Sequence, residues 1–155
     1  MSDPRRSTGD DSEEPDSDRL GFGQARSTYE SLVNTLPLSL LIKDREGYRV
    51  FANDAYLTFR GGPLSQILGK RDEDLFPADI AAQFSADDRR VIESGQPTQD
   101  VEETIDATGQ RRWIERLKCP IFDSDRNVIG IQLLFWDVTD RVRAEGAGDK
   151  PAVEK

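Results

Sequence analysis

Histidine is absent from this 155-residue chain. That removes Ser-His and Cys-His nucleophile pairs, imidazole acid–base catalysis, and histidine-ligated haem or zinc. It also removes a phosphoacceptor histidine. Cysteine is down to one, Cys119, so no internal disulfide can form. No stretch approaches the roughly 20 apolar residues that cross a bilayer. The N-terminal segment MSDPRRSTGDDSEEPDSDRL lacks the apolar core of a secretory leader. These absences lead to the expectation of a cytoplasmic protein with no membrane span. A basic face is missing too: 30 acidic and 21 basic residues leave a net charge of -9. Nucleic acid is therefore not an expected partner.

What is present is unevenly spread. Hydrophobic residues make up 35% of the chain, enough for one core and too few for two. Residues 1–22 are rich in Ser, Asp, Glu, Pro and Gly. They cannot bury enough to offset the entropy of ordering, and are expected to be a disordered acidic tail. Residues 25–37 read as an N-terminal cap helix, with Tyr29, Leu32, Val33 and Leu36 on one stripe and Pro37 at its end. Residues 144–155 are expected to be a flexible tail or the start of a linker.

The pattern between these ends is strand-strand, helices, then three strands. LSLLIKD (Leu38–Asp44) and YRVFA (Tyr48–Ala52) form a hairpin about the DREG turn. Asn53 and Asp54 offer an N-cap for a short helix through Phe59. PLSQILG gives one or two helical turns ending at Gly69. KRDEDLFP is irregular, and Pro77 starts a helix with Ile80, Ala81 and Phe84 inward. Ser85 and Asp88 resemble a capping box that opens a second helical segment running to Gly95. Strands follow at about Gln99–Asp106, Arg111–Phe122 and Val128–Val138, with turns at ATGQ and DSDRN. This order predicts an α+β domain, an antiparallel sheet with helices on one face.

Six segments in this order resemble the PAS family: LPLSLLIKDREG, FAND, ILGKRDEDLFP, DDRRVIESG, RWIERLKCPIFD and VIGIQLLFWDVTDR. The resemblance covers about Thr28 to Arg143, with the domain proper at 38–143. It implies a five-stranded antiparallel sheet, short helices on one face, and a cleft that in many members holds a small molecule. It also implies dimerisation and a signal passed to a kinase, cyclase or regulator, on the same longer chain or another. The flavin-binding light sensors of the family carry a reactive cysteine where this chain has Asp72, and an asparagine where it has Ile114. Cysteinyl-flavin chemistry is thus not expected, although Gln132 matches the glutamine of those domains.

Matching to those domains also places Leu41 and Lys43, then Ile114, Arg116 and Lys118, then Gln132, Leu134 and Trp136 toward the cleft, with Asp72, Phe76 and Phe84 beside them. Alternation ties the members of each strand together, and a shift of one residue would swap a whole set. Two readings stand for the charges. Lys43 and Lys118 meet Asp72 or Asp74 in an internal network, or the cationic surplus receives a small anion such as a carboxylate on Arg116. The last strand is apolar on both faces, so its second face, with Ile131, Leu133 and Phe135, is expected to need a cover. The helix carrying Tyr29, Leu32, Val33 and Leu36 is the expected cover, from its own chain or from a partner in a homodimer. Asp137, Thr139 and Arg141 of DVTDR are the expected relay to an exit helix, or a solvated strand end. Acidic pairs such as Asp72/Asp74 and Asp87/Asp88 have no nucleophile or metal cluster beside them, so an enzyme is not expected. A ligand-free interaction module remains the alternative to a ligand sensor.

Overall fold

The structure, a computed structural model, describes residues 27–148. The expected acidic tail, the first two residues of the cap helix and residues 149–155 lie outside that range. A first helix, α1, spans residues 27–35. The hairpin follows as β1 (Ser39–Asp44) and β2 (Arg49–Ala52), then α2 (Asp54–Arg60), a 3-10 turn at Leu64–Gln66, α3 (Asp72–Leu75) and α4 (Ala78–Ser94). The meander β3 (Thr98–Ile105), β4 (Arg111–Phe122) and β5 (Val128–Asp137) leads into α5 (Thr139–Gly148).

Local chemistry accounts for the punctuation. Asp44 accepts the amides of Glu46 and Tyr48 at 3.0 and 2.9 Å, folding the first turn. Asp106 and Asp123 close the other two turns in the same way. Asn53 caps α2 by accepting from the Tyr56 amide at 3.0 Å. It also receives Leu40 N and donates to Val33 O and Leu38 O, so one buried amide pins α1 to the first hairpin.

Two helix expectations are corrected. KRDEDLFP contains the single turn α3, with Asp74 accepting from the Arg71 amide at 2.9 Å. Helix α4 runs unbroken through Ser85 and Asp88. Asp88 is no cap, because it lies on the inward stripe with Ala81 and Val91.

The five strands form one antiparallel sheet in the order β2-β1-β5-β4-β3. The pairings set the faces: Leu41 opposes Leu133 and Lys43 opposes Ile131, while Arg116 opposes Phe135 and Lys118 opposes Leu133. Paired residues share a face. Ile131, Leu133 and Phe135 therefore join Leu41, Ile114, Arg116 and Lys118 under the helices, and Gln132, Leu134 and Trp136 lie on the outer face. This reverses the expected parity of the last strand. Ile131 and Phe135, 2% and 1% exposed, are core residues and not an outer patch. The core gathers Leu41, Ala52, Tyr56, Ile114 and Phe135. Gly130 lets β5 approach β1, since a Cβ there would collide with the Lys43 carbonyl oxygen.

Helix α1 covers less than expected. Val33 is buried and Leu36 half-buried, but Tyr29 and Leu32 are 46% and 58% exposed. No helix among the described residues is long and apolar enough to cross a membrane.

Candidate functional site

Alternate residues of three strands floor the cleft between sheet and helices. Leu41 and Lys43 come from β1, Ile114, Arg116 and Lys118 from β4, and Leu133 and Phe135 from β5. Tyr56, Arg60, Asp72, Phe76 and Phe84 close it from the helical side. The space left is about 30 Å³. A water needs about 10–15 Å³ of such space, so the cavity has room for about two.

One end of the cleft is an alternating chain of buried charges. Arg49 Nη2 donates to Asp72 Oδ1 at 2.6 Å. Lys43 Nζ donates to both Asp72 oxygens, at 2.9 and 2.7 Å, and to Asp88 Oδ2 at 2.8 Å. Lys118 Nζ completes the chain at Asp88 Oδ1, 2.6 Å away. All five side chains are buried. Burial pushes the Asp72 carboxyl up, but Lys43 and Arg49 outweigh it and hold it below the ordinary value. The chain fastens β1, β2 and β4 to α3 and α4. Of the two readings of the charges, the internal network is present, with Asp88 in place of Asp74.

At the other end Arg116 forks onto Asp100, at 3.0 and 2.6 Å, and reaches Glu102 at 3.1 Å. Burial works against the Arg116 charge, and the two carboxylates more than restore it. Glu102 is held above its ordinary value, chiefly by burial. Arg60, at the end of α2, lies over the rings of Phe59 and Phe135, 5.5 and 5.7 Å from their centroids. Its Nη1 reaches Thr104 Oγ1 at 3.4 Å and its buried Nε has no partner.

Leu41, Lys43, Asp72, Phe76, Phe84, Ile114, Arg116 and Lys118 are thus brought together. Gln132 and Leu134 are not, because β5 presents its other face. Sequence reasoning missed Arg49, Tyr56, Arg60, Asp88 and Glu102. A signal existed for Asp88: Ala81, Phe84, Asp88 and Val91 fall at helical spacing.

The outer face of β4 holds the exit helix. The Trp113 amide donates to Thr139 Oγ1 at 2.9 Å, and Val138 N donates to Trp113 O at 2.8 Å. Asp137 accepts from the Thr139 amide at 2.8 Å. Arg141 reaches Glu115 at 2.9 Å. Hydrogen bonds from Gln99 first, and then from Arg141, hold the Glu115 carboxyl below its ordinary value. Burial pushes the half-buried Cys119 thiol up, away from a reactive thiolate. No group of three metal-ligating side chains occurs among the described residues.

The family model for the PAS fold matches residues 33–143. The chain belongs to the PAS family. Its curated relatives include the methanogenesis regulatory histidine kinase FilI of Methanothrix harundinacea, 29% identical over 122 residues. They also include a diguanylate cyclase of Vibrio cholerae, 30% identical over 127 residues. These matches cover 79% and 81% of this chain but only 13% and 40% of the two relatives. Among solved structures, VqmA bound to DPO is 28% identical with a TM-score of 0.64, covering 72% of this chain and 57% of that chain. The family and these relatives place the PAS domain among sensory modules of signal transduction.

Proposed function

We propose that this PAS domain is a non-catalytic cytoplasmic sensor that holds a small molecule in its cleft and relays occupancy through α5. The effector is a kinase- or cyclase-type partner on the same longer chain or on another. The observation that carries this reading is the alternation of β4. Ile114, Arg116 and Lys118 face the cleft, while their neighbours Trp113 and Glu115 grip Thr139 and Arg141. A shift of Arg116 moves the backbone that anchors the exit helix. VqmA bound to DPO supports a ligand in the same fold.

A second reading, a ligand-free module that works by homodimerisation, draws on two observations. The cavity is about 30 Å³, far below the roughly 300–1,000 Å³ of ordinary ligand pockets. The exposed Tyr29 and Leu32 leave α1 with an apolar surface that a second copy would cover. Native mass spectrometry of the full chain, with a denatured control, separates the two. Extra mass lost on denaturation supports the sensor; bare monomer mass with no adduct removes it, and bare dimer mass favours the interaction module.

A further inference from the structure

We infer that β3 is an open docking edge for an extended segment of another protein, one that alternates basic with β-branched apolar residues. This goes beyond the sensor reading and does not depend on what the cleft holds.

The two edges of the sheet are finished differently. β2 has four residues, and the register of the hairpin slips between Ile42 and Lys43. Its outward backbone is already used: Arg49 N donates to Lys70 O at 3.0 Å, and Arg49 O accepts from Gly69 N at 2.8 Å. β3 has eight residues, paired one to one with β4 from Thr98 opposite Lys118 to Ile105 opposite Arg111, without a shift. Among the described residues, no backbone group of Thr98–Ile105 bonds outside the ladder with β4. Alternate residues of this strand therefore present an amide and a carbonyl to open space. Edges of such length are usually blunted by a bulge, a proline, a lysine or a cover. β3 has no bulge, proline or lysine within its span, and six of its eight residues are exposed.

What β3 does carry is acid: Asp100, Glu102 and Glu103, with no basic residue among them. The strand on its closed side shows what these acids take. Asp100 and Glu102 hold Arg116, and Glu103 holds Arg111. A strand on the open side meets the same acids and is matched when it too is basic. A second copy of β3 would set acid against acid, so the charges that bar self-pairing also select the partner.

The pleat divides the recognition between two faces. Asp100 and Glu102 lie on the cleft face beside Arg116 and Ile114. Val101 and Ile105, 42% and 60% exposed, lie on the outer face. Basic and apolar residues must therefore alternate in the docked segment, with the main chain supplying the common bonds. The outer face also holds Gln99, which donates to Glu115 Oε1 at 2.7 Å, and Glu115 holds Arg141. A strand on this edge lies beside the residue that steadies the anchor of the exit helix.

The test uses the full chain and the acetylated, amidated peptide KVKIKVK, with EVEIEVE as the control. It is run at about 0.15 M ionic strength, where diffuse attraction to an acidic chain is screened. Titration followed by backbone amide resonances should show saturable binding of the basic peptide alone. Amide exchange should slow at the outward amides of β3 and not in β2. Val101→Lys combined with Ile105→Lys places cations at two exposed positions and should weaken binding about tenfold or more. Val50→Lys, equally exposed on the other edge, should leave binding unchanged. No saturable binding of KVKIKVK, or equal binding of EVEIEVE, overturns the inference. So does equal binding by wild type and the double variant, or protection that spares β3. If the double variant fails to fold, the exchange pattern of the wild-type chain decides alone.

Discussion

At the α3–α4 end of the cleft three buried cations, Arg49, Lys43 and Lys118, share two buried carboxylates, Asp72 and Asp88; at the α2–β3 end Arg116 alone grips two half-buried or exposed carboxylates, Asp100 and Glu102. The first end joins three strands to two helices. The second is braced by Asp100, whose side chain is 56% exposed on the free edge strand. Such a network gives shape, because removing either carboxylate strands a buried cation, Arg49 for Asp72 and Lys118 for Asp88. The second end depends on a single fork, with one of its two acids half in water.

The largest effect expected from this contrast is on stability. Asp88→Ala leaves Lys118 buried without a carboxylate and strips one partner from Lys43. It should cost about 3–5 kcal/mol in urea unfolding. Asp100→Ala should cost about 1 kcal/mol or less, since Asp100 is half in water and Arg116 keeps Glu102. Equal losses would erase the distinction between the two ends.

The pH dependence should differ in sign. The Asp72 carboxyl lies below its ordinary value of 3.8 in the folded chain. Its contribution is therefore present above that value and lost as the pH falls through the lower folded one. Glu102 lies above its ordinary 4.5. Its contribution is present below that value and lost as the pH rises through the folded one. Unfolding followed between pH 2 and 7 should show Asp72→Asn flattening the acid side and Glu102→Gln flattening the stretch above about 4.5.

Smaller effects sharpen the picture. Glu115→Gln weakens a partly exposed contact to Arg141 and should leave global stability nearly unchanged, yet amide exchange in α5 should quicken. Arg60→Gln breaks no ion pair but loses the contacts of the guanidinium with the Phe59 and Phe135 rings, and should cost about 1 kcal/mol or less. A loss as large as that of Asp88→Ala would mean Arg60 is structural.

The sequence made the fold legible where polar and apolar residues alternate or turns are chemically marked. DREG, ATGQ and DSDRN placed the turns, and the strands of the meander were located to within one residue. On β4, matching to the family put Ile114, Arg116 and Lys118 inward, and alternation kept them together. On β5 alternation was silent, since Ile131, Leu133 and Phe135 are no more apolar than Leu134 and Trp136. Only the pairing with β1 and β4 fixes that strand. Asp88 was hidden by its neighbourhood, because an acid three residues after a serine also fits a helix start. Arg60 was hidden by position, as a cation at a helix end ordinarily faces water and the dipole.

The central pairing of the sheet also bears on how the chain reaches this fold. Ser39 of β1 opposes Phe135 of β5, 96 positions later. The β1–β2 hairpin closes locally, but the inner edge of β1 finds its partner only when the last strand has been made. During synthesis that edge, with Leu40, Leu41 and Ile42, waits as an unpaired template. Closing so long a loop should make docking of hairpin onto meander the slow step of folding. The chain would then be most exposed to mispairing just before β5 is complete.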